Sequence, residues 1–197
     1  MRVGDVAVDD AAIAAIIAPL APTLSDTATS GDLRQSVAEL TVFLEVARRY
    51  ARENGVTPAA ADYASIAEQL QTTVDDPFVR LNGDVNAYRD ALLANTDPRT
   101  PTEPEMRDIY ERFIAIAGPI ATYEEIRDEL LGLREYGSAL ALRDALTAAM
   151  DRYAVSVDPR YQPLDYGLLV VSAQGQQLPL VTLPIGEQGT GAVRSVG

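Results

Sequence analysis

The sequence predicts a mainly α fold: a helical body with a small β-sheet formed by an N-terminal strand and C-terminal strands. Three observations carry this. Several runs space their apolar residues three and four apart and begin at capping residues. The two ends of that helical stretch, Arg2 to Val8 and Val155 to Val157, are short and Val-rich. Beyond them, Gly167 to Ser172 and Leu178 to Leu183 are apolar and β-branched around Ala173-Gln-Gly-Gln176, which reads as a hairpin. The expectation is one domain over 1–185 and a flexible tail over 186–197, where Gly and polar residues dominate.

Asp9 or Asp10 can cap a first helix over Ala11 to Ala18, with Ile13, Ile16 and Ile17 on one face and Pro19 as its stop. Residues 19–35 hold Pro, Ser, Thr, Asp and Gly and read as a loop. Ser36-x-x-Glu39 reads as a capping box ahead of Leu40, Phe43, Leu44 and Ala47, and Asn54-Gly55 as the end of that helix. Arg48, Arg49 and Arg52 crowd its last turns, where cations suit the helix dipole; an anionic partner is the sharper reading of the same cluster. Thr57-Pro58 predicts a helix start running to about Gln71, and Asp75-Asp76-Pro77 an interruption before a helix over Asn82 to Ala94. Thr102-x-x-Glu105 and Thr122-x-x-Glu125 are two further capping boxes. The first opens a helix with Met106, Ile109, Tyr110, Phe113 and Ile116 on one side, ended by Gly118-Pro119. The second opens a helix towards Met150 and Tyr153, with a break expected near Gly132 or Gly137.

Composition narrows the chemistry. The chain of 197 residues has no Cys and no His, and all 16 basic residues are Arg. Disulfides, thiolate metal sites, a Ser-His-Asp triad, a Schiff-base lysine and a P-loop lysine are therefore excluded. A net charge of -13 opposes nucleic acid and anionic lipid. No cofactor and no metal loop is indicated. No stretch approaches the ~20 apolar residues of a membrane span. A structured strand starting at residue 2 leads us to expect a mature region whose leader has been removed.

Asp158-Pro159-Arg160-Tyr161 reads as a turn in which Arg160 forms a bidentate ion pair and Tyr161 packs on the body. Phe43, Tyr110 and Phe113 sit in strict helical periodicities and favour core packing over a client groove. Tyr63, Tyr88, Tyr123 and Tyr136 lie on less strictly apolar faces, so they are the candidate binding residues of an exposed surface. Asp75-Asp76 and Glu124-Glu125 are adjacent acids, which a helix points about 100° apart, so neither pair forms a dyad by sequence.

The ordered set of segments resembles the N-terminal chaperone region of the SurA family of extracytoplasmic folding factors, a type shared with PrsA and trigger factor. The segments are the initial Val3-Gly4-Asp5 strand, the helix ending Ala47-Arg48-Arg49-Tyr50, Tyr88-Arg89, Thr102 to Tyr110, Tyr123 to Leu130, and the closing Val157-Asp158-Pro159-Arg160-Tyr161. The resemblance covers residues 2–161. It departs at Gln162, where the family has Gly, and in the 163–183 hairpin. Only Ala117 to Ala121 lies where longer members insert a parvulin isomerase domain. The resemblance implies a non-catalytic, extracytoplasmic chaperone-like module that binds unfolded or extended polypeptides, with the membrane reached only through a lipid anchor outside this chain, as in high-GC bacterial lipoproteins. An adaptor or structural lipoprotein domain with one folded partner is the second reading. A carboxylate-based hydrolase, needing two acids roughly 5–10 Å apart across a cleft, is the third.

Overall fold

The computed structural model describes residues 1–20, 30–118, 121–173 and 176–186, without the side chains of Leu20, Ser30, Ile116, Ala117, Leu130, Ala173 and Gln176. Residues 21–29 of the expected loop, Pro119, the hairpin tip at 174–175 and the tail from 187 lie outside the described residues, as does the Ile116 side chain. The fold is mainly helical, with two small antiparallel strand pairs.

The N-terminus is a hairpin of its own. β1 (Arg2–Val3) pairs with β2 (Val6–Ala7) across Gly4-Asp5, with Gly4 at φ +61°. A two-residue turn beginning with Gly is a hairpin signal, which the single expected strand overlooked. Arg2 still exchanges two backbone hydrogen bonds of 2.9 Å with Ser156, so residues 2 and 156 do lie side by side. The expectation of one sheet joining both ends is corrected: the C-terminal hairpin forms a second, separate sheet.

α1 (Asp10–Ile17) is capped by Asp9, which accepts from the Ala12 N–H. α2 (Ser30–Glu53) begins well before Ser36, so residues 30–35 are helix rather than loop, and Ser36-x-x-Glu39 lies inside the helix and caps nothing. Its end is as read: Val56 N–H bonds to Ala51 O at 2.8 Å around Gly55 at φ +67°. α3 (Tyr63–Gln69) is capped by Asp62, not Thr57. α4 (Pro77–Ala94) starts five residues earlier than expected, because Asp76-Pro77 is a cap and first-turn pair, with the Asp76 carboxylate accepting from the Phe78 N–H. α5 (Glu103–Ala117) and α6 (Tyr123–Gly132) follow their capping boxes, each Glu accepting from the N–H and hydroxyl of its Thr. The chain breaks at Leu133, beside Gly132, before α7 (Arg134–Arg152). Gly137 stays helical. A Cβ there would lie 2.5 Å from the Arg99 carbonyl, so the glycine lets the 95–101 connection press against α7.

α7 ends with Ala154 at φ +51°, in the position Gly55 takes after α2. Val155 N–H bonds to Met150 O and Ala154 N–H to Asp151 O, both at 3.1 Å. An L-residue pays roughly 1 kcal/mol for that left-handed conformation, partly offset by its lower entropy when unfolded. Ala154→Gly is therefore expected to raise the thermal midpoint by about 2 °C. A lowered midpoint would reject this account.

After α7, a turn of 3-10 helix at Pro159–Tyr161 is capped by Asp158. Arg160 engages both Asp158 oxygens and reaches Asp10, while the Tyr161 hydroxyl donates to Asp10 at 2.7 Å. This segment therefore ties α1 to the end of the helical body. β3 (Leu164–Ala173) and β4 (Gln176–Ile185) form a hairpin longer than expected. It lies on α7, α2 and α5. Phe43 of α2 stacks on Tyr166 of β3 at 3.7 Å between ring centroids. One apolar core includes Val3, Ile13, Phe43, Leu142, Leu168 and Leu183.

Candidate binding cleft

The near half of the hairpin alternates as a one-sided strand should: Leu164, Tyr166 and Leu168 are buried and Asp165 is exposed. The register then slips between Gly167 and Leu169, and again before Val170. A bulge of this kind puts consecutive residues on one side and re-aims the rest of the strand. Beyond it Leu169 and Val171 are partly buried while Val170 and Ser172 are exposed. The far half of the hairpin thus roofs α5 without closing onto it. A cleft of about 510 Å³ lies beneath.

Leu169, Val171 and Leu180 line it from the hairpin side. Ile109, Tyr110 and Phe113, spaced three and four apart on α5, face them, and Ile126 and Leu133 add the α6 side. Glu129, Glu135 and Ser172 supply the polar part of the lining. Tyr110 is held in place at its tip, donating to Ala121 O at 2.7 Å, and its ring meets Tyr123 edge-on at 5.7 Å. Tyr136, 2 % exposed, also lines the cleft. Its hydroxyl has no hydrogen-bond partner among the described residues, and burial pushes its pKa well above the usual tyrosine range. A larger groove of about 590 Å³ between α3 and α4 is lined by Ala59, Ala60, Ala61, Asn86 and Asp90, among others, a mixture of small apolar and polar side chains.

The four tyrosines expected on an exposed surface do not share one. Tyr123 and Tyr136 are buried, at 4 % and 2 % exposure, which corrects that expectation for both. The hairpin and α5 cover faces that look only half-apolar in the sequence. Tyr63 is half-buried, donates to Asp84 at 2.5 Å and lies under the Arg80 guanidinium. Tyr88 is half-buried against the core, with Arg48 6.0 Å from its ring centre. Only Tyr136 lines the cleft, whereas Tyr110 and Phe113, read as core, do so as well. Val171 had a signal: from Gly167 to Val171 the sequence loses strict alternation, as a bulged strand does.

Several charged groups outside the cleft pair with one another. Glu105 accepts from Arg99 and Arg143, and these ion pairs hold its carboxyl well below the usual range, Arg99 first among them. Arg48 bonds Glu45 and Asp84, and Arg49 lies over the Tyr153 ring at 4.2 Å, so these two members of the arginine cluster have partners inside the chain. Among the described residues, no group of three or more acids is placed to hold a metal ion, and no helix is long and apolar enough to cross a membrane.

Fold and cleft together define a helical protein with an apolar cleft roofed by a bulged hairpin. No family model matches the chain, and neither a curated protein nor a solved structure matches it.

Proposed function

We propose that the protein is a non-catalytic, chaperone-like binding module that holds apolar stretches of unfolded or extended polypeptide. The apolar cleft carries this reading: about 510 Å³ between hairpin and helices, with carbon-rich walls and acids at its margin. The resemblance of residues 2–161 to the SurA-type chaperone region points the same way, as does the absence of His, Cys and Lys. A surface of net charge -13 favours clients with Arg or Lys beside their apolar residues.

The test is suppression of aggregation of an unfolded model protein at several-fold molar excess. Wild type should suppress it. Val171→Glu, which puts a charge into the cleft wall at a partly buried hairpin position, should lose about tenfold in potency while its thermal midpoint stays close to wild type. Equal suppression by the two proteins would remove the cleft from the mechanism. Absence of suppression by wild type would reject the function.

A further inference from the structure

We propose that the client segment is taken up as an added β-strand on the outer edge of β3, between Gly167 and Ser172. This rests on the polypeptide-binding reading above and adds the mode of capture. Among the described residues the β3–β4 sheet has two strands, so each has one edge with no strand beside it. The two edges are not equivalent. β4 carries Pro179 and Pro184, opposite Val170 and Asp165. A proline nitrogen cannot donate, so both must be non-hydrogen-bonded pairs, and their β3 members turn their N–H and C=O away from β4. Gly167 and Ser172, two residues from Asp165 and Val170 respectively, face the same way. The bulge between them accounts for the change of parity.

The near part of this edge is occupied. Gln35 donates to Pro163 O at 2.6 Å, and the Asp165 N–H faces the Glu39 carboxyl. The far part is not: no described residue outside the hairpin hydrogen-bonds the backbone of Gly167, Val170 or Ser172. Val170 and Ser172 are exposed. On β4, prolines remove two outward donors, a device that blunts an edge. β3 has no proline between Leu164 and Ala173. Beside the open edge lies a second pocket of about 250 Å³, lined by Leu93, Ala94, Ser138 and Leu169. Leu169 is common to this pocket and the cleft. Alternate side chains of an added strand point to opposite faces, so one set can enter this apolar ground while the backbone pairs with β3. Arg134 and Glu135 both line the second pocket, so the sign of the preferred client comes from the whole-chain charge of -13, which selects cationic flanks.

The experiment uses the full chain and a fluorescent peptide of about nine residues, Val and Leu alternating with Thr between Arg pairs. Two further peptides carry backbone N-methyl groups on one or the other set of alternate residues. Strand addition predicts that one methylated peptide binds at least about tenfold more weakly while the other keeps its affinity, since only one set of N–H groups faces β3. Ser172→Pro removes an outward donor without touching a backbone bond of the ladder. It also removes the exposed bond from Gln177 Nε2 to Ser172 Oγ, which Ser172→Ala removes alone and so serves as the control. Ser172→Pro should weaken the unmethylated peptide by a similar factor, with the thermal midpoint retained. Equal affinity of the two methylated peptides, or full affinity of a folded Ser172→Pro protein, would overturn strand addition and leave cleft binding standing. No binding of the unmethylated peptide would overturn both.

Discussion

Phe43→Ala is expected to destabilise the protein by about 3–5 kcal/mol and to loosen the hairpin before the helical body. Phe43 is fully buried in the middle of α2, and its ring lies almost parallel to that of Tyr166, at 19°. The substitution removes a large side chain from a close-packed site and also the aromatic pair, worth about 0.5–1.5 kcal/mol by itself. The loss falls on one seam. Gln35, Glu39 and Phe43 follow one another at four-residue spacing on α2, and they meet Pro163, Asp165 and Tyr166 in turn. Phe43 is the apolar member of that row, so its loss leaves the row itself with two polar contacts to β3. Denaturant unfolding measures the total, and amide exchange along β3 locates it. A change below about 1 kcal/mol, or exchange that rises equally in α7 and β3, would show that the hairpin is not anchored here.

That seam also marks the limit of what the sequence shows. Thr102 and Thr122 are legible as helix starts because a capping box is complete within four residues, and both are found where read. Ser36-x-x-Glu39 has the same local form. It fails because the helix is already running, and Glu39 instead turns to a strand 126 positions further along the chain. Thr57-Pro58 and Asp76-Pro77 are equivalent in sequence as cap and first-turn pairs, yet only Asp76 caps. It is also buried and takes a hydrogen bond from the Thr72 hydroxyl. The tyrosines obey the same logic. Tyr136 lies on a face that looks half-polar, with Arg134 and Glu135 before it, and the hairpin that helps to enclose it is a long-range partner. Helix spacing on α5 put Ile109, Tyr110 and Phe113 on one face. Whether that face met core or an open cleft depended on the bulge at Gly167 to Leu169, a departure of one residue in register.

Glu39 should make the protein less stable as pH rises through neutrality. Burial pushes its carboxyl up to about 7 from an ordinary 4.5; the Asp165 N–H opposes the rise, and the Asp165 charge adds to it. The folded state therefore holds the proton more tightly than the unfolded chain does. Its contribution is fully present below about pH 4.5, is lost progressively as pH rises through 7, and stays lost above. At about 1.4 kcal/mol per unit the shift sets a ceiling near 3 kcal/mol, and partial solvation brings the expected effect to about 2 kcal/mol. The chain has no His to add a slope in this window. Glu39→Gln keeps an oxygen to accept from the Asp165 N–H and cannot ionise. It should match wild type near pH 4.5 and exceed it by about 2 kcal/mol at pH 8. Below pH 4 both proteins should weaken together, because Glu105 and Asp158, whose carboxyls are held low by their arginine partners, become protonated. Denaturant midpoints measured from pH 4.5 to 8 decide the matter. Parallel curves for the two proteins across that range would mean that the carboxylate is solvated at neutral pH, and that the α2–hairpin seam carries no proton-linked term.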